Sequence, residues 1–314
     1  MTPRKTTSSL PQTSPPHRRK ARSGAVLVTL TLAAATLMPT PAAALDSDAD
    51  DYSAGAVPAG TNLALLYYQH ANRNKVRVDG ATVSPGDLSS DIGILRLVRF
   101  VKIGPFLADP QVLLPFGKLQ GHNALASLGS ADGLSDAIVT ATVWLINEPE
   151  NGTYLGVTPA VYVPIGQYDH NKPLNLGEHR WKYLFQSAYV TPIGTPNLSL
   201  QVTGDVTLYG HNDDYGAASQ TLKQKPLIEL QAWLRYKVTP TFDVRVGSAH
   251  FTGGQTELDG VSNADRQNTT NMKVGFGWDF SPGWNLVAAY GQDLQVSNGL
   301  QEDARFNVRL LKAF

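Results

Sequence analysis

The chain has 314 residues, with 26 Lys and Arg against 26 Asp and Glu and no cysteine. The lack of cysteine excludes a disulfide framework and any thiolate metal site. The first 44 residues hold six bases and no acid, so the remainder has 20 bases against 26 acids, and such an acidic protein is not expected to bind nucleic acid.

The N-terminus has the layout of an export signal. Four basic residues between Arg18 and Arg22 precede an apolar run from Gly24 to Met38, and Ala42 to Ala44 supply small residues for cleavage. The alternative is an uncleaved membrane helix, but this run is shorter than the roughly 20 residues that a spanning helix needs. We therefore predict a cleaved signal peptide over residues 1–44 and a periplasmic N-terminal tail over residues 45–60.

From residue 61 to the C-terminus, apolar and polar residues alternate in segments separated by turns. Ile228 and Leu230, for example, alternate with Glu229 and Gln231. Successive side chains of a strand point to opposite faces, so the pattern predicts strands with one face toward lipid and the other toward water. The predicted strands are 61–70, 90–103, 106–118, 134–147, 152–163, 179–192, 196–210, 225–239, 241–253, 270–281, 284–296 and 304–314.

The links between these strands are short and long in alternation. The short links are rich in Pro, Gly and Asn, as turns are: 104–105, 147–151, 192–196, 239–240 and 281–283. The long links are 71–89, 119–133, 164–178, 211–224 and 254–269, while 297–303 is the short exception on that side. Bacterial barrels have short periplasmic turns and longer outer loops, so the sequence predicts an all-β transmembrane antiparallel up-and-down β-barrel, residues 61–314, of about 12 strands with both termini in the periplasm.

The C-terminal segment points to the same location. Phe306, Val308 and Leu310 alternate with polar residues before the chain ends at Phe314. A terminal phenylalanine after such alternation resembles the assembly signal of bacterial outer-membrane barrels. The expected partners are therefore outer-membrane lipid and, through Phe314, the barrel-assembly machinery, and the expected location is the bacterial outer membrane.

One stretch carries a more specific pattern. It reads Pro164-Ile165-Gly166-Gln167-Tyr168, then Leu174-Asn175-Leu176-Gly177, then Trp181. This stretch, with the order of strands over roughly residues 60 to 314, resembles the MetA-pathway of phenol degradation family of outer-membrane proteins, some encoded beside aromatic-degradation pathways. The resemblance implies a transport-type barrel that admits hydrophobic or aromatic small molecules, and it brings no catalytic motif.

The same stretch supplies candidates for an outer-loop gate, namely Pro164, Gly166, Tyr168, Asn175 and Gly177. Their alternative role is loop shaping, because Pro and Gly turn the chain and Asn and Gly tolerate left-handed backbone. The sequence favours loop shaping, but because these residues lie on the outer side, a gating role remains an alternative interpretation.

Charged residues on faces predicted to point inward are the candidates for lumen selectivity: Asp205, Glu229, Arg235, Lys237, Asp243 and Arg245. Twelve strands leave more room than the roughly eight whose interior side chains fill. The charges would tune an open pore, or they would pair across strands and block it. The leading hypothesis is a passive channel, and the second is a non-conducting structural or surface-binding barrel.

A lipid hydrolase is the less favoured third hypothesis. Ser248 and His250 share one strand face, predicted toward lipid, but no nucleophile-elbow motif accompanies them. The acidic loop at Asp213 and Asp214 lacks the spacing of a calcium loop, and no zinc, phosphate or cofactor fingerprint occurs. We therefore expect no enzyme activity, no metal and no cofactor.

Overall fold

The computed structural model describes residues 1–2 and 52–314, so the predicted signal peptide lies outside the described residues from residue 3 onward. Twelve long strands make the barrel within this part of the chain. They are β1 (Asn62–Val78), β2 (Ala81–Arg99), β3 (Phe106–Gly121), β4 (Ala137–Glu148), β5 (Thr153–Val163), β6 (Lys182–Ile193), β7 (Thr195–Tyr209), β8 (Leu227–Thr239), β9 (Phe242–Gly253), β10 (Gln267–Ser281), β11 (Trp284–Val296) and β12 (Gly299–Ala313).

Every strand pairs antiparallel with the next one in the chain, and β12 pairs with β1, which closes the sheet. The two ends of the barrel meet at the closure, where the Phe314 amide donates to the Asn62 carbonyl at 3.0 Å and the Asn62 amide donates to the Phe314 carbonyl at 2.9 Å. Closure leaves no strand edge unpaired, as a membrane-spanning sheet requires. The predicted all-β class and the twelve-stranded antiparallel barrel are confirmed.

The outward faces carry the apolar residues of the alternating pattern. Ile228, Leu230 and Leu234 on β8 and Val244 and Val246 on β9 are all exposed. The remaining strands repeat this arrangement, so a wide apolar band surrounds the barrel. Soluble monomers rarely expose so large an apolar surface, whereas lipid covers it in a transmembrane barrel.

The turns at one end are short, as predicted, and this end is called the periplasmic end below, after the rule for bacterial barrels. At the other end, the predicted long link 71–89 is mostly strand, because β1 and β2 continue to a two-residue turn at Asp79 and Gly80. Both turn residues have positive φ, 49° and 80°, as the favoured hairpin turns require. The tip of this hairpin is exposed on both faces, whereas Val76 and Leu88 nearer the barrel are buried against other outer links, so the sequence there shows no regular apolar alternation.

The other outer links are also structured. Four short strands, Asn212–Tyr215, Gln220–Gln224, Thr256–Leu258 and Val261–Ser262, form a second small sheet. A 3-10 helix, Asn123–Leu128, and a short strand, Ser130–Leu134, follow β3. The link after β5 folds inward, because its Leu174 and Leu176 are buried against Leu88 and Leu119 of β2 and β3.

One further 3-10 helix, Tyr52–Ala56, precedes the barrel and is called the N-terminal helix below. It falls in the segment predicted as a periplasmic tail, but it lies inside the barrel rather than outside it, since Tyr52 is buried among residues of β4 to β7. Residues 45–51 of the predicted tail lie outside the described residues. No helix in the described part of the chain is long and apolar enough to span a membrane.

Candidate functional site

The inward faces of β2 to β6, called the packed wall below, are filled by side chains that touch one another. Ile94, Leu113 and Ile138 are at most 1% exposed, and they pack with Tyr162 and Leu184 into one apolar cluster. Polar residues on this wall are also buried and hydrogen-bonded. These strands therefore line a filled part of the lumen rather than an aqueous passage.

The N-terminal helix fills the periplasmic half of the packed wall. The Tyr52 amide donates to Gln201 Oε1 at 3.1 Å, and Trp144 Nε1 donates to the Tyr52 carbonyl at 3.0 Å. The Tyr52 hydroxyl is hydrogen-bonded to Thr158 Oγ1 at 2.9 Å and donates to Gln186 Oε1. These four partners come from β4, β5, β6 and β7, so a single tyrosine links one third of the barrel strands.

Apolar packing supports the same position of the helix. Tyr52 belongs to an apolar cluster that includes Phe100 and Trp144, whose rings stack at 5.7 Å between centroids. On β5, a Cβ at Gly156 would stand 2.8 Å from the Tyr52 ring, so only glycine leaves room for it there. The sequence around Gly156 is thus adapted to a helix inside the lumen.

The inward faces of β7 to β12, called the polar wall below, differ from the packed wall. Charged and amide side chains such as Asp205, Asn271, Asp293 and Arg305 point inward and remain partly exposed. A small apolar patch interrupts them, where Trp233 packs with Val287 and Ala289 and fits over Gly247. Other inward side chains of this wall, such as Gln231, Arg245 and Lys273, are buried, so the polar wall differs from the packed wall in polarity and is only partly open.

The periplasmic half of the polar wall carries a cluster that we call the arginine band: Arg235, Asp243, Arg245 and Arg309. Arg245 Nη2 lies 2.6 Å from Asp243 Oδ1, and Arg235 Nε lies 3.8 Å from the same oxygen. Arg309 Nη2 donates to Asn285 Oδ1 at 2.5 Å. The band as defined here holds three guanidinium groups and one carboxylate, with Arg309 three strands away from Asp243 in the same row of the sheet.

Glycine creates the space for the arginine band. A Cβ at Gly277 of β10 would collide with Arg245 Nη2 and would stand 2.6 Å from Asp243 Oδ2. Arg245 and Asp243 therefore lie along the barrel wall over this glycine. The alternation of the sequence predicted the inward direction of these side chains but not the glycine gap beside them.

The six predicted lumen residues all lie on inward faces, but they do not form one group. Asp205 and Glu229 face each other in register on β7 and β8, in the outer half of the barrel. Arg235, Asp243 and Arg245 lie in the arginine band, and Lys237 is exposed near the periplasmic rim. Their role in selectivity stays a prediction.

The predicted gate residues surround one buried carboxylate, Asp136, at the outer end. Its two oxygens accept hydrogen bonds from the amides of Gly166 and Glu178, both at 3.0 Å. Gly166 and Gly177 touch closely, since a Cβ on Gly177 would stand 2.6 Å from the Gly166 carbonyl carbon. Pro164 follows directly after the last residue of β5. These contacts fasten the loop to the barrel rim.

The other two gate candidates stabilise the loop itself. Tyr168 stacks on His179 with 4.9 Å between ring centroids, and its hydroxyl donates to the Asp214 carbonyl at 2.8 Å. Asn175 accepts from the Asp169 amide at 2.7 Å and donates to the Asp169 carbonyl at 3.1 Å. The geometry of all five residues is that of loop shaping, and a gating role stays a prediction.

A charged cluster beneath this loop was not predicted. Glu178 accepts hydrogen bonds from Arg180 at 2.6 and 2.9 Å and from Lys182 at 2.5 Å. Burial alone would raise the pKa of Glu178, but the two cations outweigh burial and lower this pKa to about 2. The sequence signal for this cluster was the spacing of Arg180 and Lys182, because residues two apart in an extended chain share a face. The two residues lie where the apolar alternation ends, so the alternation did not show which face that is.

The residues considered for catalysis have separate partners. The Ser248 hydroxyl donates to the Asn271 carbonyl at 2.7 Å, whereas the His250 ring is hydrogen-bonded to Thr270 Oγ1 at 2.9 Å. Both side chains face outward, as expected from their shared strand face. Within residues 52–314, the structure brings together no group of three or more His, Cys, Asp or Glu that could hold a metal ion.

Comparisons with known proteins agree with this architecture. The family model for the MetA-pathway of phenol degradation matches residues 71–310. A crystal structure of an outer membrane channel from Pseudomonas putida F1 is 34% identical, with a TM-score of 0.81, and the match covers 84% of this chain and 99% of that one. The translocator domain of the autotransporter NalP from Neisseria meningitidis shares only the fold, at 10% identity and a TM-score of 0.50 over 86% and 93% of the two chains.

No curated protein sequence matches the chain. The family match spans the barrel almost from end to end, and the Pseudomonas structure adds substantial identity over the same strands. The chain belongs to the MetA-pathway of phenol degradation family, and it is an outer-membrane β-barrel.

Proposed function

We propose that this protein is a passive outer-membrane channel for small water-soluble molecules, with a preference for anions. The observation that carries the proposal is the division of the lumen into a packed wall and a polar wall. The partly exposed side chains of the polar wall, Asp205, Asn271, Asp293 and Arg305, would line a narrow hydrated route between its buried ones. The Pseudomonas relative, described as an outer membrane channel, supports the same class of function.

The charge preference follows from the arginine band. An ion in the periplasmic half of the lumen would pass Arg235, Arg245 and Arg309, of which Arg235 and Arg245 lie beside the carboxylate of Asp243. Rings of like charge in a pore favour the opposite ion. Low-dielectric barrel walls strengthen this preference, because they focus the field of the fixed charges into the lumen.

The solute class predicted from the family resemblance was hydrophobic or aromatic small molecules. Apolar inward side chains do occur, but Ile94, Leu113 and Ile138 pack against one another and do not line the accessible space. A neutral hydrocarbon would therefore have to replace water along the polar wall. Small organic anions, including aromatic carboxylates, fit this lining better.

The N-terminal helix supports a narrow rather than a wide passage. It occupies the periplasmic half of the lumen beside β4 to β7, and its contact to Gln201 on β7 places it next to the strand that carries Arg235. The same helix is the observation that favours the second candidate, a non-conducting structural or surface-binding barrel. Conductance measurements decide between the two candidates.

The test uses the protein purified from outer membranes and inserted into planar bilayers under a KCl gradient. We expect discrete conductance steps and a reversal potential of the sign that chloride permeation gives. Liposome flux of benzoate, with benzyl alcohol as the uncharged counterpart, then measures the solute preference. If neither conductance nor benzoate flux is detected, and removal of the N-terminal helix restores neither, the channel is refuted and the non-conducting barrel is favoured.

A further inference from the structure

The side chain of Tyr52 fills a site on the inner barrel wall that we call the Tyr52 seat: Gly156, Thr158 and Gln186. Its ring lies over Gly156, where a Cβ would stand 2.8 and 3.0 Å from two ring carbons. Its hydroxyl is hydrogen-bonded to Thr158 Oγ1 at 2.9 Å and donates to Gln186 Oε1. Thr158 and Gln186 are 3% and 6% exposed. The seat therefore provides the space for one aromatic ring and hydrogen-bonding partners for one hydroxyl group.

The tyrosine is held in this seat as part of a very short segment. The N-terminal helix reads Tyr-Ser-Ala-Gly-Ala, so Tyr52 is its one large side chain. A helix of this length is not stable on its own, because helices below roughly 12 residues are marginal in water. The chain joins the barrel wall at Gly60, whose amide donates to the Phe100 carbonyl at 2.8 Å. Tyr52 is therefore comparable to a phenol ligand on a short tether, and its departure from the seat leaves the twelve strands paired.

The Tyr52 seat borders the polar wall. Gln186 Nε2 donates to Asp205 Oδ2 at 3.4 Å, and Asp205 remains partly exposed on the inner face of β7. The Tyr52 amide also donates to Gln201 Oε1 of the same strand at 3.1 Å. Departure of the helix therefore opens the seat toward the polar wall. The carboxylate of Asp205 disfavours an anion there, because like charges repel, so the chemistry of the seat suits an uncharged phenol.

We propose that the Tyr52 seat is a binding site for uncharged phenols, which compete with the tyrosine of the N-terminal helix. The tyrosine side chain is itself a phenol, so the structure shows the space and the hydrogen bonds that a free phenol would use. A benzene derivative without the hydroxyl would leave Thr158 and Gln186 with an unmet hydrogen bond, and buried sites of this kind reject such analogues. The inference goes beyond the proposed function, because it concerns uncharged solutes and binding rather than conduction.

The test is fluorine NMR of the detergent-purified variant Tyr52→Ala, whose seat no longer holds a ring, with para-fluorophenol. We expect binding of a single molecule per chain, since small aromatic molecules bind in the cavities that truncation of large buried side chains leaves. The unmodified protein should bind para-fluorophenol more than about tenfold more weakly, because the seat is free only in the fraction of molecules with a released helix. The analogue para-fluorotoluene, with a methyl group in place of the hydroxyl, should bind to Tyr52→Ala about tenfold more weakly than para-fluorophenol.

Further substitutions in the Tyr52→Ala background locate the bound phenol. Thr158→Val combined with Gln186→Met removes both partners of the hydroxyl and keeps similar side-chain volumes, so the preference for para-fluorophenol over para-fluorotoluene should disappear. The matched control is Thr207→Val, because Thr207 is also a buried inward threonine, at 3% exposed, but lies in the outer half of β7. This control should retain the preference of about tenfold.

The site is refuted if folded Tyr52→Ala does not bind para-fluorophenol, if it binds both ligands equally, or if the preference survives in the Thr158→Val and Gln186→Met variant. Equal affinity of Tyr52→Ala and the unmodified protein would show that phenol binds elsewhere and does not compete with the helix. Gel mobility of heated and unheated samples verifies that each variant is folded. None of these measurements involves conductance, so loss of the channel hypothesis leaves the site standing, and loss of the site leaves the channel standing.

Discussion

Replacement of Tyr52 by alanine should release the N-terminal helix from the lumen and increase the conductance of the channel. The tyrosine makes side-chain or backbone contacts to Trp144, Thr158, Gln186 and Gln201 on four strands. Its backbone bonds survive the substitution only while the helix stays in place. The ring and its hydroxyl, which anchor the helix, are lost.

The expected magnitude follows from the burial of the side chain. Truncation of a buried aromatic residue to alanine costs about 3 to 5 kcal/mol. Here the cost falls on the equilibrium between the docked and the released helix, because the twelve strands remain paired without it. At about 1.4 kcal/mol per factor of ten, the ratio of released to docked helix should rise about a hundredfold to several thousandfold. If the N-terminal helix of the unmodified protein is released about one part in a thousand of the time, the helix of the variant would be released for a large fraction of the time.

Single-channel recording measures the effect directly. We expect Tyr52→Ala to show larger or longer open events than the unmodified protein. Tyr52→Phe should show a smaller increase, because it removes only the hydroxyl bonds to Thr158 and Gln186 and leaves the packing against Gly156. If the unmodified protein, both Tyr52 variants and a variant that lacks residues 45–56 all show the same conductance, the helix does not restrict the passage.

Three further predictions concern the other parts of the lumen. Arg235→Gln combined with Arg245→Gln should shift the reversal potential in a KCl gradient toward zero, and an unchanged value would exclude the arginine band as the source of anion preference. Gly247→Ala places a methyl group against the Trp233 ring and should cost about 1 to 3 kcal/mol, measured by urea unfolding in lipid vesicles, with Ala249→Gly on the same face as a control. The pKa of Glu178 is lowered to about 2. The ionised Glu178 carboxylate therefore stabilises the folded outer loop fully above its ordinary pKa, and this stabilisation is lost only as the pH falls toward 2. Proteolysis of the outer loop should be the same at neutral and weakly acidic pH and should increase only in strong acid.

The fold was predictable because the membrane imposes a period of two on every strand. Ile228 and Leu230 face outward and Glu229 and Gln231 face inward, as their alternation indicated. The outer part of the β1–β2 hairpin was not predictable, since its tip is exposed on both faces and Val76 and Leu88 are covered by loop residues rather than by a regular lipid or lumen face. Its register depends instead on the turn at Asp79 and Gly80, a signal of two residues within a long polar stretch.

The sequence predicted which side chains of the site point inward, but it did not predict which of them contact one another. Alternation indicates that Arg235, Asp243 and Arg245 point inward, and the structure places them there. It carries no information about which inward residues are covered by other parts of the chain. The N-terminal helix was missed for this reason, because Tyr52 stands alone in a short segment rich in alanine and glycine, without strand or amphipathic helix periodicity.

A barrel of this size needs an asymmetric lumen to be selective. With all inward faces open, twelve strands would enclose a bore wider than side chains alone fill, and charges on the wall would act on the solute only weakly. The packed wall and the N-terminal helix remove one side of that bore. In the proposed channel the remaining passage would follow the polar wall, so a solute would come close to the arginine band at the periplasmic end. In the proposed channel, the apolar residues that face inward would therefore act by their position, because they would keep the solute beside the charged residues without contacting it.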